Sequence, residues 1–360
     1  MIRIRRGRVL SVDERHVGYS KLTVQLDGEK QRAINYDSLT GSVGQGDFVI
    51  LNTTAQKMGL GTGGYHFVIY VEGNDYREIN EEGHIFKLRY TPQQIKVLSA
   101  EEEESPHHDL VAGCQEISGM PVLAGSLHSQ VAPAALAIAA LAEPGTQVAY
   151  IMTDGGCLPL VFSDLVRSLK KKGLISTTIT CGHAFGGDYE AVNIYSALIV
   201  AKAVAQADYA IVCMGPGVVG TDTKWGTTAM EQASILHATA SLKGIPVVIP
   251  RISFADPRSR HYGISHHTLT VLTDGLHVPV YVGLPKLHGE MRAHVYSQLE
   301  KAGLEERHRF VEQDTAFLEE QMKEEGIALS TMGRSFGEDR EFFMAAAAAG
   351  GLAVELAKKD

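Results

Sequence analysis

From residue 110 onward, short apolar runs alternate with stretches whose apolar residues recur at helical spacing. The runs are Pro121–Ala124, Gln147–Met152, Ser176–Thr180, Tyr209–Met214, Ile245–Ile249 and Val278–Val282. The stretches between them are Ala134–Leu141, Leu160–Lys172, Ala191–Ala205 and Thr228–Lys243. The short runs read as strands and the periodic stretches as helices. Strands alternating with helices imply right-handed crossovers and a mainly parallel sheet. Local signals agree. Lys170-Lys171-Lys172-Gly173 closes one helix with cations and a left-handed cap. Thr228 and Glu231 have the spacing of a capping box at the start of another. Beyond Val282 the pattern predicts helices over Gly289–Lys301 and Glu305–Glu325. A last helix, capped by Ser335 and Glu338, runs through Ala345–Ala349.

The first ninety residues read differently. Arg8–Val12, Leu22–Leu26, Arg32–Tyr36, Asp47–Leu51 and His66–Val71 are apolar or alternating, with glycine turns between them. Strands at this spacing predict a small β-barrel. Asp27-Gly28 suits a two-residue hairpin turn, because both positions tolerate positive φ. Gly59–Gly64 reads as a flexible hairpin loop, since no helix follows to supply a dipole for an anion. The expected organisation is a β-barrel over 1–91, an acidic linker over 92–109 and an α/β ligand-binding domain over 110–360. The linker contains Glu101–Glu104, a run that prefers water. The fold class is α/β: a mainly parallel, Rossmann-like sheet with flanking helices, preceded by a small N-terminal β-barrel.

Charge narrows the partners. The 360 residues carry a net charge of -9, which argues against a dedicated nucleic-acid binder. The excess lies outside the barrel, since residues 1–91 hold 12 basic and 11 acidic side chains. Four cysteines without a C-x-x-C pair suggest a reduced, cytoplasmic protein. Met1–Leu10 lacks the apolar core of a signal peptide, and the longest apolar runs are too short to span a bilayer. No membrane partner is therefore expected, and homo-oligomerisation is left open.

In a parallel sheet the loops after the strands share one edge, where ligands bind. Those loops carry His128, His183, His261, His266, His267 and His288, six of the 15 histidines. They also carry Asp154, Asp188, Asp222 and Asp256. Gly215-Pro-Gly217-Val-Val-Gly220 follows a strand in the form G-x-G-x-x-G. As a dinucleotide signature it is poor, because its helix starts late and the next strand ends in Pro250-Arg251. An NAD(P)-binding role is the least favoured reading. Glycine N–H groups framing an anion is a better one.

The segment from Arg251 to His267 crowds Arg251, Arg258, Arg260, His261, His266 and His267 into one loop. Arginine forks bind carboxylate or phosphate. The segment reads either as an anion clamp with a histidine acid/base or metal ligand, or as a loop salt-bridged to Asp256. His183 is a further acid/base or metal candidate, and Asp154 would orient a histidine or hold a cation. Asp188 reads as an N-cap for the helix after it. A metal drawing on His183, Asp188, His261 and His266 is conceivable, but no zincin motif demands one. Metal and cofactor are both unknown at this level. Cys157 and Ser126 read as structural rather than nucleophilic.

The strings GHAFGGDYEAVN, MGPGVVGTDTKWG, RISFADPRSRHYGISHHTLTVL and NTTAQKMGLGTGGYHFV give the chain a family resemblance. It resembles a bacterial family catalogued as a domain of unknown function, over nearly its whole length. The resemblance implies no particular activity or cofactor, and it implies a glycine where Asp222 stands. The functional expectation is an enzyme, a hydrolase or transferase, acting on a small anionic ligand such as a phosphorylated one. His183, Asp154, His261 and His266 would be catalytic. Gly215, Gly217, Gly220, Arg251, Arg258, Arg260 and His267 would bind the ligand. The alternative is a non-catalytic metabolite sensor or adaptor whose barrel contacts a partner.

Overall fold

The structure is a computed structural model that describes residues 2–75, 78 and 82–358. Two compact units emerge, Met1–Glu82 with Leu88–Lys96, and Gly83–Lys87 with Val97–Asp360.

The first unit is built on a closed barrel of five strands. They are β1 (Ile4–His16), β2 (Tyr19–Leu26), β3 (Glu29–Tyr36), β4 (Phe48–Asn52) and β5 (His66–Val71), joined in the order β1-β2-β3-β5-β4. β1 is long enough to pair with both β2 and β4, and irregularities after Val9 and Val12 bend it between them. Val9, Leu22, Val24, Leu26, Ala33, Val49, Leu51 and Val68 fill the interior. Asp27 and Gly28 take φ of 51° and 88° in the β2–β3 turn. The arginines at the start are paired: Arg6 grips Glu72 at 2.6 and 2.7 Å, and Arg3 lies 3.3 Å from Asp27.

The second unit holds an eight-stranded sheet, parallel throughout. Its strands are β6 (Pro121–Ala124), β7 (Val148–Thr153), β8 (Thr177–Cys181), β9 (Tyr189–Ala191), β10 (Tyr209–Met214), β11 (Ile245–Val248), β12 (Tyr281–Pro285) and β13 (Arg309–Gln313). Their spatial order is β9-β8-β7-β10-β6-β11-β12-β13. The chain therefore winds one way from β6 to β9 and the other way from β10 to β13. The direction reverses between β7 and β10, which makes a crevice at their carboxyl ends.

Alternate side chains of each strand feed two cores. On one face Val122, Ile151, Val212 and Val248 pack with helices α3 (Ile194–Ala203) and α4 (Glu231–Ser241). On the other, Leu123, Tyr150, Ile211 and Val247 pack with α1 (Val131–Leu141) and α2 (Asp164–Lys171). The last helix, running from Arg340 to Ala357, joins this second face. Small residues let it approach closely. A Cβ on Gly350 would lie 2.6 Å from the Ala134 carbonyl, and one on Gly283 would lie 2.6 Å from the backbone of Ala348.

Several local expectations change. Ser335 and Glu338 do not cap the last helix but bond each other ahead of it, and Asp339 is its N-cap. Residues 309–313 form the edge strand β13 rather than part of a helix, and the helix resumes only at Leu318–Glu324. Pairing with β12 overrides the local helical pattern there. Asp188 does not cap a helix, because β9 follows it. Its carboxylate accepts from the Thr178 N–H and hydroxyl at 2.8 Å each and meets Lys170, while Asn193 caps α3. The acidic run is not simply solvated. Glu102 is buried and accepts from the N–H groups of Ser99 (2.6 Å) and His84 (2.7 Å), and Glu101 accepts from Val192 N–H at 2.7 Å. Backbone donors with no strand partner take the carboxylates in place of water.

Candidate functional site

Two groups of polar residues occupy the carboxyl edge of the sheet. The first lies at the reversal between β7 and β10. Asp154, directly after β7, accepts the backbone N–H of His183 at 2.9 Å. The glycines around it leave it no spare room, since a Cβ on Gly182 would fall 2.4 Å from its carboxylate. Gly215 packs against the same loop, where a Cβ would lie 2.3 Å from the Cys157 carbonyl. Pro216 accepts the Cys157 N–H at 2.8 Å.

Glu231 is the residue that sequence reasoning misjudged here. Thr227, not Thr228, is the N-cap of the short 3-10 turn ahead of α4, and Glu231 forms no capping box. Its carboxylate turns inward and accepts from the Thr153 hydroxyl. Burial pushes its pKa up to about 7, and the nearby Asp154 charge adds to the rise. The signal was available: an acid one step into a helix that follows a glycine loop at a strand's carboxyl end.

The second group is a pocket of about 290 Å³. It is lined by Val218, Val219, Gly220, Asp222, Arg251, Arg258, Arg260, His261, His267 and Met332. Six residues expected to act together therefore meet: Gly220, Arg251, Arg258, Arg260, His261 and His267. His266 adjoins them, its ring centre 4.0 Å from that of His267 and 5.0 Å from that of His261. Local chemistry builds the cluster. Ser265 accepts the His267 N–H at 3.3 Å, starting a helix over His266–Thr270, and its hydroxyl lies 2.8 Å from His261 Nδ1. That turn brings both rings against that of His261, one tilted and one edge-on.

Asp256 organises the arginines. Its buried carboxylate takes Arg258 through Nε and Nη2, at 2.9 and 2.8 Å, and Arg251 at 2.9 Å. The Arg258 hydrogen bonds hold it well below the usual carboxylate range. Arg260 pairs with Asp222 at 3.0 Å. Asp222 has a φ of 63°, a conformation that glycine adopts without strain. Arg251 is buried and its Nε has no hydrogen-bond partner. Burial lowers its pKa to about 10. Burial, reinforced by neighbouring cations, lowers His261 to about 3, and burial together with His266 lowers His267 to about 4. Both imidazoles are neutral at pH 7 and can accept a proton or donate a lone pair.

The other candidates stand apart. His183 and Asp154 belong to the crevice and do not line the pocket, and Gly217 has open space around its Cα. His128 is structural. It bridges Ser163 (2.7 Å) and Tyr150 (3.1 Å), and burial lowers its pKa to about 4. His288 lines a separate pocket of about 470 Å³ with Lys286, Asp314 and Arg340. Burial raises the Cys157 thiol to about 12, which removes thiolate reactivity. Ser126 is buried beside Gln130. Lys87 drew no attention in the sequence. It is fully buried, 3.1 Å from Glu190 and bonded to the carbonyls of Ala184 (2.9 Å) and Ala191 (3.2 Å), so it ties down the loop carrying His183.

Fold and pocket together define a parallel-sheet α/β protein with an N-terminal barrel and a histidine–arginine pocket at the carboxyl edge. The chain belongs to the family described as Protein of unknown function (DUF3866), whose model matches residues 32–350. No curated protein and no solved structure matches it. Among the described residues, no helix is long and apolar enough to cross a membrane.

Proposed function

We propose that this protein is an enzyme, of the hydrolase or transferase type, acting on a small anionic ligand held in the histidine–arginine pocket. One observation carries the reading. The pocket is lined by three arginines, and Arg251, although buried, keeps an Nε–H without an acceptor. A buried unsatisfied donor is costly, and an anion satisfies it. Arg258 and Arg260 are part-exposed and retain N–H groups beyond those given to Asp256 and Asp222. The volume suits a phosphate or carboxylate group with a small body rather than a dinucleotide. Neutral His261 and His267 stand in the wall, where ring nitrogens can bond the bound group. Asp154, His183 and Glu231 form the other group along the same sheet edge. A cytoplasmic setting is part of the reading, because all four cysteines are free thiols.

The test is calorimetric titration with inorganic phosphate, phosphomonoesters and small dicarboxylates, repeated on Arg260→Ala. Saturable binding that weakens about tenfold or more in the variant supports the reading. Absence of binding by every anion at millimolar concentration overturns it. Product formation from a bound ligand, followed by phosphorus or proton magnetic resonance, separates an enzyme from a sensor that only binds.

A further inference from the structure

We propose that His261, His266 and His267 bind a divalent transition-metal ion of the zinc class. The proposal rests on reading their pocket as a ligand site. One ring nitrogen from each histidine lies within 4.8 Å of the other two. Imidazole nitrogen suits such ions, and three imidazoles leave a coordination position for water or ligand. Tetrahedral binding with metal–nitrogen bonds of about 2.0–2.1 Å needs donors about 3.3 Å apart, which rotation about the side-chain bonds supplies.

Three further features converge on the same atoms. His266 Nε2 is buried and has no hydrogen-bond partner. A buried ring nitrogen with nothing to bond is expensive unless a ligand takes it. His261 already uses Nδ1 on the Ser265 hydroxyl, which leaves Nε2 for an ion. Metal-bound histidines are held by this kind of outer hydrogen bond, which fixes the ring and its tautomer. Gly220 keeps the approach to His267 open, because a Cβ there would lie 3.3 Å from Cε1 and 3.6 Å from Nε2.

The surrounding cations do not forbid a dication. Asp256, Asp222 and Asp339 offset three of the four guanidinium charges of Arg251, Arg258, Arg260 and Arg334, and the anion proposed above answers the fourth. His261 and His267 line the same pocket as the arginines, so an ion on them faces the anion proposed above. Polarising that anion, or activating a water beside it, is the chemistry such an ion supplies.

The experiment uses the full-length chain without an affinity tag, purified without chelators. Metal content is measured by plasma mass spectrometry, and zinc and cobalt titrations follow on metal-stripped protein. About one equivalent of metal is expected, with the visible absorption of tetrahedral cobalt. His266→Ala should weaken binding by more than about 100-fold with an unchanged circular dichroism spectrum. If that variant misfolds, the wild-type cobalt spectrum decides alone. Folded wild type with no saturable zinc or cobalt binding at micromolar concentration overturns the proposal. So does metal retained at wild-type affinity in His266→Ala. Phosphate titrations with and without zinc keep the two readings apart. Phosphate binding without any metal site leaves the anion reading standing alone. Metal binding without phosphate affinity leaves the metal site and removes the anion reading.

Discussion

Glu231 and Asp256 sit at the same edge of one sheet, yet their environments push them in opposite directions. Glu231 has a threonine hydroxyl as donor and an aspartate as neighbour, so enclosure favours its neutral form. Asp256 is more deeply buried by area and is held ionised by two guanidinium groups. Burial alone therefore does not set the charge; the partners brought to the carboxylate do. The origin of those partners differs too. Asp256 meets residues two and five positions away in its own loop. Glu231 meets Thr153 and Asp154, which only the pairing of β7 beside β10 brings near.

The largest effect is expected at Asp256. Asp256→Ala leaves Arg251 and Arg258 without their shared acceptor and should cost about 3–5 kcal/mol, read as a fall in Tm. A loss below about 1 kcal/mol would mean that the arginines find another acceptor, and the contrast with Glu231 would weaken. Acid should act through the same group. A carboxylate held below its unfolded pKa stabilises the fold above that pKa, and the stability is lost as pH falls toward the folded value.

Glu231 should show the reverse sign, with a somewhat smaller effect. Its folded pKa, about 7, lies above the ordinary glutamate value of 4.5. Its contribution is therefore complete below about pH 4.5 and disappears as pH rises through 7, a loss of about 3 kcal/mol. Glu231→Gln should flatten the denaturation free energy between pH 5 and 8. An unchanged slope would show that Glu231 is ionised throughout.

Smaller effects sharpen the picture at the pocket mouth. Arg260→Ala removes only a part-exposed ion pair, so stability should move by no more than about 0.5 kcal/mol while phosphate affinity falls. Gly220→Ala adds one methyl beside His267 and should cost less than about 1 kcal/mol. Ligand or zinc binding should nevertheless weaken measurably in titration. Equal binding in that variant would place the ligand elsewhere in the pocket.

Much of this arrangement is legible along the chain. The barrel's glycine turns, the six central strands and the clustering of arginine and histidine after Arg251 can each be read from neighbouring residues. Ser265 before His266 and His267 signals the turn that places those rings together. The edge strands β9 and β13 are harder to read, because one side of each gains nothing from pairing and polar residues interrupt the apolar run, Glu190 in β9 and Arg309, Glu312 and Gln313 in β13. Lys87 and Glu190 lie far apart in sequence, and no local pattern announces their ion pair.

What the sequence determined by itself is what depends on short separations: strand and helix periods, caps, turns and the content of each loop. What only the tertiary structure decided is which loops adjoin. Strand order put Asp154 with Glu231 and left both out of the pocket that received Arg251, His261 and His267. Backbone period and capping are properties of consecutive residues. Charge state and site membership depend on the distances between groups from different strands, and those distances exist only once the sheet is assembled.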